Sequence, residues 1–260
     1  MCLIAWRWQP ADATPLVLLA NRDEFYARPT RALTQWPGSP VMAGQDLEGG
    51  GTWLGATAGG RVAALTNYRD PALMVAGRPS RGALVQSFLE SSLSAEAFLL
   101  ELRRYANQYN PFNLLVCDGK TLAGGESRGD AFEAILLSSG VGCLSNGDFA
   151  SVWPKVTQLR TALADALSET EATDQQLLAL LDNREAAPDA VLPQTGIPLE
   201  MERALSAAFI TLPSYGTRAS TLVRVHAERV DMLERSFAPG VPPSDVALSR
   251  SRMAGEGAAL

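Results

Sequence analysis

The chain has 260 residues, of which 47% are hydrophobic and 19% charged, and its formal net charge is −6. This balance is typical of a folded globular protein and excludes disorder, in which low hydrophobicity accompanies high net charge. Because the scattered arginines form no basic stripe, we expect no nucleic-acid partner. The longest apolar runs are shorter than the roughly 20 residues that cross a bilayer as a helix, so we expect no membrane span.

The N-terminus and the cysteines indicate the cellular setting. The opening sequence MCLIAWRW lacks the basic region and the long apolar region of a signal peptide, so the cytoplasm is the expected location. Cys2, Cys117 and Cys143 have no metal-ligand spacing, so we expect neither a disulfide framework nor a metal site. We expect Cys117 and Cys143, which lie in apolar stretches, to be inert core residues. The sequence does not indicate an oligomeric state.

The N-terminal part of the chain predicts short strands followed by two helices. Strands are predicted at residues 3–8, 16–20, 53–58 and 62–67, with a Gly-rich turn at 48–51 and a hairpin turn at 57–60. Helices are predicted at residues 81–90 and from residue 94 onward, where apolar residues recur on one face. Ser94 is the expected N-cap of the second helix.

The remainder predicts a meander, three helices and closing strands. Strands are predicted at residues 113–117, 121–126, 132–137 and 141–145, and helices at 152–167, 174–181 and 198–207. Closing strands are predicted at residues 209–212, 221–227 and 230–237. Residues 239–260 are rich in Pro, Gly, Ser and Ala, so we expect a flexible tail.

Two groups of strands separated by helices favour two sheets packed face to face with helices outside them. The predicted fold is therefore α+β, a four-layer αββα sandwich. Since no linker divides the chain before the tail, we predict one domain over residues 1–238.

Cys2 is the first candidate for chemistry. Removal of Met1 by an aminopeptidase would leave Cys2 with a free α-amine, whose pKa of about 7.7–8.0 suits it to act as the base for its own thiol. A nucleophile of this kind needs no histidine. The alternative is that Cys2 is a small buried side chain at the start of a strand.

Polar residues that follow apolar runs are the other candidates. In Asn-Arg-Asp-Glu at residues 21–24, Arg22 is expected to keep Asp23 ionised near the terminal amine; the alternative is an exposed turn with a weak ion pair. Asn67, Asn146 and Arg218 are candidate donors to an oxyanion, or else ordinary turn residues.

His226 is the only histidine of the chain, and it lies in an apolar predicted strand. The lone histidine is interpreted either as a core residue or as a haem ligand.

Several segments together resemble one family. They are Met1-Cys2, residues 21–24, GGTWLG at 50–55, ALTNYR at 64–69, PSRG at 79–82, NPFNLLV at 110–116, LSNG with WPK at 144–155, and YGTR at 215–218. In this order they resemble the NRDE family, also called the Transport and Golgi organisation protein 2 family, from residue 1 to about 237. That family is similar in outline to the cysteine branch of N-terminal nucleophile hydrolases, which includes choloylglycine hydrolase and penicillin V acylase.

The resemblance implies the αββα sandwich of those hydrolases and roles for particular residues. It implies that Cys2 is the nucleophile, that Asp23 contacts the terminal amine and that Asn146 helps to form the oxyanion hole, while Asn67 and Arg218 align loosely. The hydrolases carry an arginine three residues before the aspartate, where this chain has Ala20. Arg22 could therefore replace that arginine only by approaching the site from a different direction.

Two functions follow as expectations. The first is a cysteine amidohydrolase that cleaves a linear amide and needs no cofactor. The second, which the family's association with haem trafficking and with acyl-coenzyme A or lipid metabolism implies, is a non-enzymatic carrier of haem or another hydrophobic ligand. In that case Cys2 or His226 would be the axial ligand of a haem.

Overall fold

The computed structural model describes residues 2–168 and 172–252, and of Cys2 the main chain. Two antiparallel sheets form the fold. Sheet A has, in spatial order, the strands β10 (Gly140–Leu144), β1 (Cys2–Trp8), β2 (Leu16–Phe25), β11 (Tyr215–Val225), β12 (Arg229–Ala238) and β13 (Val241–Ser251). Sheet B is a meander of β3 (Thr30–Gln35), β4 (Val41–Asp46), β5 (Leu54–Thr57), β6 (Val62–Asn67), β7 (Phe112–Cys117), β8 (Leu122–Arg128) and β9 (Ala131–Leu136).

Alternation of side chains along the strands builds the layers. In β2, Leu16 and Leu18 pack between the sheets, whereas Val17 and Leu19 pack on the outer face of sheet A. Successive side chains of a strand point to opposite faces, so a run that is apolar at every position is buried on both sides. This arrangement requires another layer outside each sheet.

Helices supply those outer layers. The helices are α1 (Gly82–Glu90), α2 (Ala95–Leu102), α3 (Pro154–Ala166), α4 (Asp174–Ala179) and α5 (Leu199–Ala204). Phe88 of α1 and Phe98 of α2 pack on the outer face of sheet B, and Leu159 of α3 and Leu177 of α4 pack on sheet A. The predicted αββα sandwich is thereby confirmed. Within the described residues, no helix is both long and apolar enough to cross a membrane.

Most predicted elements are present, with shifts at their ends. Ser94 caps α2 as predicted, since its side chain accepts a hydrogen bond from Ala97 N. Strands β3 and β4 were not predicted, and residues 209–212 form no strand beyond an isolated bridge from Thr211 to Gly216.

The expected flexible tail is wrong for the residues that the structure describes there. Residues 241–251 form β13, which pairs along its length with β12. Val246 and Leu248 of this strand pack against the core between the sheets. Residues 253–260 lie outside the described part of the chain.

Candidate functional site

The Asn-Arg-Asp-Glu motif lies inside β2, not after the end of a strand as its polarity suggested. Arg22 is the register partner of Cys2 in β1, and Asp23 pairs with Thr217 in β11. Asn21, Arg22 and Asp23 are all buried. The motif therefore places the Asp23 carboxyl one residue from the partner of Cys2, in the middle of sheet A.

Asp23 is held by two side chains of β11. Thr217 Oγ1 lies 2.7 Å from Asp23 Oδ1, and the Tyr215 hydroxyl donates to the Asp23 carbonyl oxygen at 2.9 Å. Burial raises the pKa of Asp23, while the charges of Lys155 and Arg69 and the hydrogen bond from Thr217 oppose that rise. The carboxyl is thus a buried acid surrounded by cations from other segments.

Arg22 does not play the part that its position beside Asp23 suggested. Neighbouring residues of a strand point to opposite faces, and the Arg22 guanidinium stacks on the Trp53 ring at 4.3 Å. Its Nη2 lies 3.7 Å from Asp46 Oδ2 and 4.0 Å from Glu24 Oε2. The cations that favour an ionised Asp23 are Lys155 and Arg69, so the expectation for Arg22 was wrong in this respect.

Asn67 and Asn146 lie side by side, although Asn67 ends β6 of sheet B and Asn146 follows β10 of sheet A by two residues. Asn146 is fully buried, and its Nδ2 donates to the Asn67 carbonyl oxygen at 2.7 Å. The Asn146 carbonyl oxygen in turn accepts from Arg69 N at 2.8 Å. The two predicted oxyanion donors are therefore brought together at the end of β6.

Arg69 is a site residue that sequence reasoning missed. It follows β6 by two residues, it is 8% exposed, and its Nη1 lies 2.7 Å from Glu202 Oε2 of α5. Thr195 fixes Glu202 through its main-chain N and its hydroxyl, and the Trp153 ring lies 4.9 Å from the guanidinium. The signal in the sequence was the ALTNYR segment at residues 64–69, in which the arginine is the only charged residue.

A cavity of about 320 Å³ opens beside this cluster. Its lining includes Arg22, Asp23 and Glu24 of β2, and Asn67, the last residue of β6. The segment that leads into α1 forms another part of the wall, with Arg78, Ser80, Arg81 and Gly82. The cavity thus joins the motif to the PSRG segment.

Arg218 is not brought to this cavity. It lies at a bulge in β11, and its Nη1 donates to the carbonyl oxygens of Phe25, Tyr26 and Arg28 at 2.9, 3.1 and 3.2 Å. These contacts tie β11 to the chain that leaves β2. The predicted role of Arg218 at an oxyanion has no geometric support here.

His226 and the two other cysteines also lie apart from the cluster. His226 Nδ1 is 2.9 Å from Thr14 Oγ1, and Nε2 is 3.0 Å from Asp231 Oδ2, so both ring nitrogens already face a partner. Cys117 and Cys143 are buried, and burial raises the pKa of each thiol to about 12. Among the described residues, no group of three or more His, Cys, Asp or Glu side chains is placed to hold a metal.

Comparison with known proteins identifies the family. The family model for Transport and Golgi organisation 2 matches residues 1–239. The chain belongs to this family. It is 36% identical over 261 residues to the Transport and Golgi organization protein 2 homolog of Bos taurus, covering 91% of this chain and 93% of the relative. It is 33% identical over 259 residues to the Homo sapiens homolog, with the same coverage.

A solved structure shares the fold. The N-acylethanolamine-hydrolyzing acid amidase ortholog of Caenorhabditis elegans superposes with a TM-score of 0.50 at 11% identity, covering 85% of this chain and 92% of that chain. The predicted fold of N-terminal nucleophile hydrolase type is thereby confirmed.

Proposed function

We propose that this family member is a cysteine amidohydrolase of the N-terminal nucleophile type, which cleaves a linear amide after Met1 has been removed. The observation that carries the proposal is the buried Asp23 carboxyl, which Thr217 holds one residue from the register partner of Cys2. A buried acid held in this way is suited to orient a terminal amine. The fold shared with an amidase is consistent with this chemistry.

The reaction begins at Cys2. Its α-amine takes the thiol proton, and the thiolate attacks the amide carbonyl carbon to give a tetrahedral oxyanion. Collapse of this species breaks the C–N bond, and the leaving amine takes the proton from the α-ammonium group. Water, deprotonated by the α-amine of Cys2, then attacks the thioester carbonyl carbon. The C–S bond breaks, the carboxylic acid leaves, and the α-ammonium group returns its proton to the Cys2 thiolate.

Asn67 and Asn146 are the proposed donors to the oxyanion. Asn67 lines the cavity, and Asn146 uses one amide hydrogen on the Asn67 carbonyl oxygen. A carboxamide nitrogen carries two hydrogens, so the second hydrogen of Asn146 would serve the oxyanion. Asp23 orients the amine, and the charges of Lys155 and Arg69 favour its ionised form against the effect of burial.

The test is capture of the acyl-enzyme. We would mix the purified protein with N-acyl anilides of increasing chain length, quench in acid and measure intact mass. The proposal expects aniline release and a mass increase equal to the acyl group, both lost in Cys2→Ala and kept in the matched control Cys117→Ala. Aniline release that persists in Cys2→Ala would overturn the proposal, and so would a processed chain that neither releases aniline nor forms an adduct with any anilide.

The carrier hypothesis has less support from the described residues. Both ring nitrogens of His226 already face protein partners, which disfavours this residue as a haem ligand. Binding of haem or of acyl-coenzyme A stays a prediction.

A further inference from the structure

The start of α1 lies at the wall of the cavity without a cap. The helix has nine residues, and no side chain among the described residues accepts a hydrogen bond from its first turn. The N–H groups of Ala83 and Leu84 donate to the carbonyl oxygens of Ser80 and Arg81 at 3.3 and 3.0 Å, so this helix end attracts an anion mainly through the partial positive charge of the helix dipole. Ser80, Arg81 and Gly82 at this helix start all line the cavity.

Close packing holds the helix start in place. Thr52 N donates to the Gly82 carbonyl oxygen at 3.3 Å. A Cβ on Gly51 would lie 2.4 Å from the Gly82 carbonyl carbon, so only glycine allows this approach. The uncapped end is therefore a rigid part of the cavity wall.

Arginines from the same segment add full charges. The Arg78 Nη1 donates to the Tyr109 carbonyl oxygen at 3.3 Å, and in residues 2–168 and 172–252 no carboxylate forms a salt bridge with it. Arg81 donates to the Pro111 carbonyl oxygen at 2.9 Å. A guanidinium offers five N–H donors, so Arg78, with one hydrogen bond among the described residues, can also donate to a ligand.

Arg22 supplies an independent indication of a ligand. Its side chain is 4% exposed and lines the same cavity, yet its Nη2 is buried and has no hydrogen-bond partner in the described structure. The closest carboxylate oxygen, Asp46 Oδ2, is 3.7 Å away and already accepts from Arg28 Nε at 2.8 Å. A buried guanidinium nitrogen without a hydrogen bond is costly unless a ligand satisfies it.

We propose that this cavity binds a phosphate-type anion, which sits at the uncapped start of α1 and is contacted by Arg22, Arg78 and Arg81. A helix N-terminus with arginine side chains is the chemistry that recognises phosphate oxygens. The anion is either free phosphate or the phosphate of an ester. The site does not rest on the proposed hydrolysis, because binding is measured without turnover and also in Cys2→Ala.

The first experiment measures binding of inorganic phosphate, phenyl phosphate and benzoate to the full chain by isothermal titration calorimetry. We expect saturable phosphate binding in wild type and in Cys2→Ala, and about tenfold weaker binding in Arg78→Gln. The matched control Arg104→Gln changes an exposed arginine outside the cavity and should bind phosphate as wild type does. Tighter binding of phenyl phosphate identifies an ester as the source, and equal binding identifies free phosphate.

A second variant tests the helix start itself. Ser80 is exposed, so Ser80→Glu should leave the fold intact, as far-UV circular dichroism would show, while its carboxylate occupies the anion position. We expect Ser80→Glu to weaken phosphate binding at least tenfold and Ser80→Gln to have little effect. Wild-type affinity in both Ser80→Glu and Arg78→Gln would overturn the proposal, as would binding of benzoate without binding of either phosphate.

Discussion

Thr217 Oγ1 lies 2.7 Å from Asp23 Oδ1, and the same hydroxyl accepts a hydrogen bond from Ile210 N at 2.9 Å. Thr217 donates the single hydrogen of its hydroxyl to Asp23, while the hydroxyl oxygen accepts from Ile210 N. The direction of the bond favours the carboxylate over the acid. Thr217 is therefore a positioning residue for Asp23.

The first prediction concerns Thr217→Val. The change keeps the shape of the side chain but leaves Asp23 and Ile210 N without this partner, so we expect a loss of about 1–3 kcal/mol of unfolding free energy. Alkylation of Cys2 by iodoacetamide should also slow, because a less well-oriented Asp23 holds the α-amine of Cys2 less firmly. Urea unfolding and labelling rates check both effects. Thr217→Ser keeps the hydroxyl and should keep both the stability and the labelling rate of the wild type. Slow labelling of Cys2 in Thr217→Ser would contradict the assigned role.

The second prediction concerns pH and Asp23. Burial raises the pKa of Asp23 above its ordinary value of 3.8, so the folded state binds a proton that the unfolded state has lost. Stability from this group is present below pH 3.8 and falls as pH rises through the raised pKa of the folded state. In Asp23→Asn that fall should be absent. Denaturant unfolding at a series of pH values from 3.8 upward measures the fall in unfolding free energy. Parallel plots of unfolding free energy against pH for wild type and Asp23→Asn would refute the raised pKa of Asp23.

The third prediction concerns the buried pair of Arg69 and Glu202. Removing one partner strands a buried charge, so Arg69→Met should cost about 3–5 kcal/mol of unfolding free energy. The double variant Arg69→Met, Glu202→Leu should recover much of that loss. Arg203→Met, at the next position of α5, removes an exposed ion pair with Asp189 and should change little. Equal effects of Arg69→Met and Arg203→Met would show that burial of the pair is unimportant.

The fourth prediction concerns β13. Leu248 pairs with Met232 of β12 and packs on the core between the sheets, so Leu248→Ala should destabilise the protein by about 1–2 kcal/mol. Val241 is 60% exposed at the start of the strand, and Val241→Ala serves as the control with little effect. Thermal unfolding of both variants checks the strand. A neutral Leu248→Ala would support the flexible tail that composition suggested.

The fold was largely predictable because β1, β7 and the first half of β2, residues 16–20, are apolar at nearly every position, which requires layers on both faces. The edge strand β3 escaped prediction because only Leu33 is buried in it, so it lacks the alternation of a core strand. The tail escaped prediction because Pro242 and Pro243 are typical of loops, and an edge strand tolerates them where a central strand does not.

The candidate site was predictable only in part. Cys2, Asp23 and Asn146 were candidates from their residue types and positions, and the resemblance implied their roles. The interior position of the motif was not predicted, because its partners are distant in sequence. Asn21, for example, donates to the carbonyl oxygens of Leu181 and Ala208, both at 2.9 Å. Such partners allow polar residues to continue a buried strand, and local polarity cannot reveal them.

The cations around Asp23 were missed for the same reason. Lys155 lies in the first turn of α3, and Arg69 follows β6. Their charges reach the Asp23 carboxyl only because α3 and sheet B both pack against sheet A. Adjacency in sequence pointed to Arg22, whose side chain faces Trp53 instead.

The most direct test of the account is the intact mass of the purified protein before and after treatment with iodoacetamide. Burial raises the pKa of Cys117 and Cys143 to about 12, so neither should react in the folded state. We expect a chain without Met1 that gains one adduct rapidly, and no adduct in Cys2→Ala. A chain that retains Met1 and leaves Cys2 unmodified would contradict it.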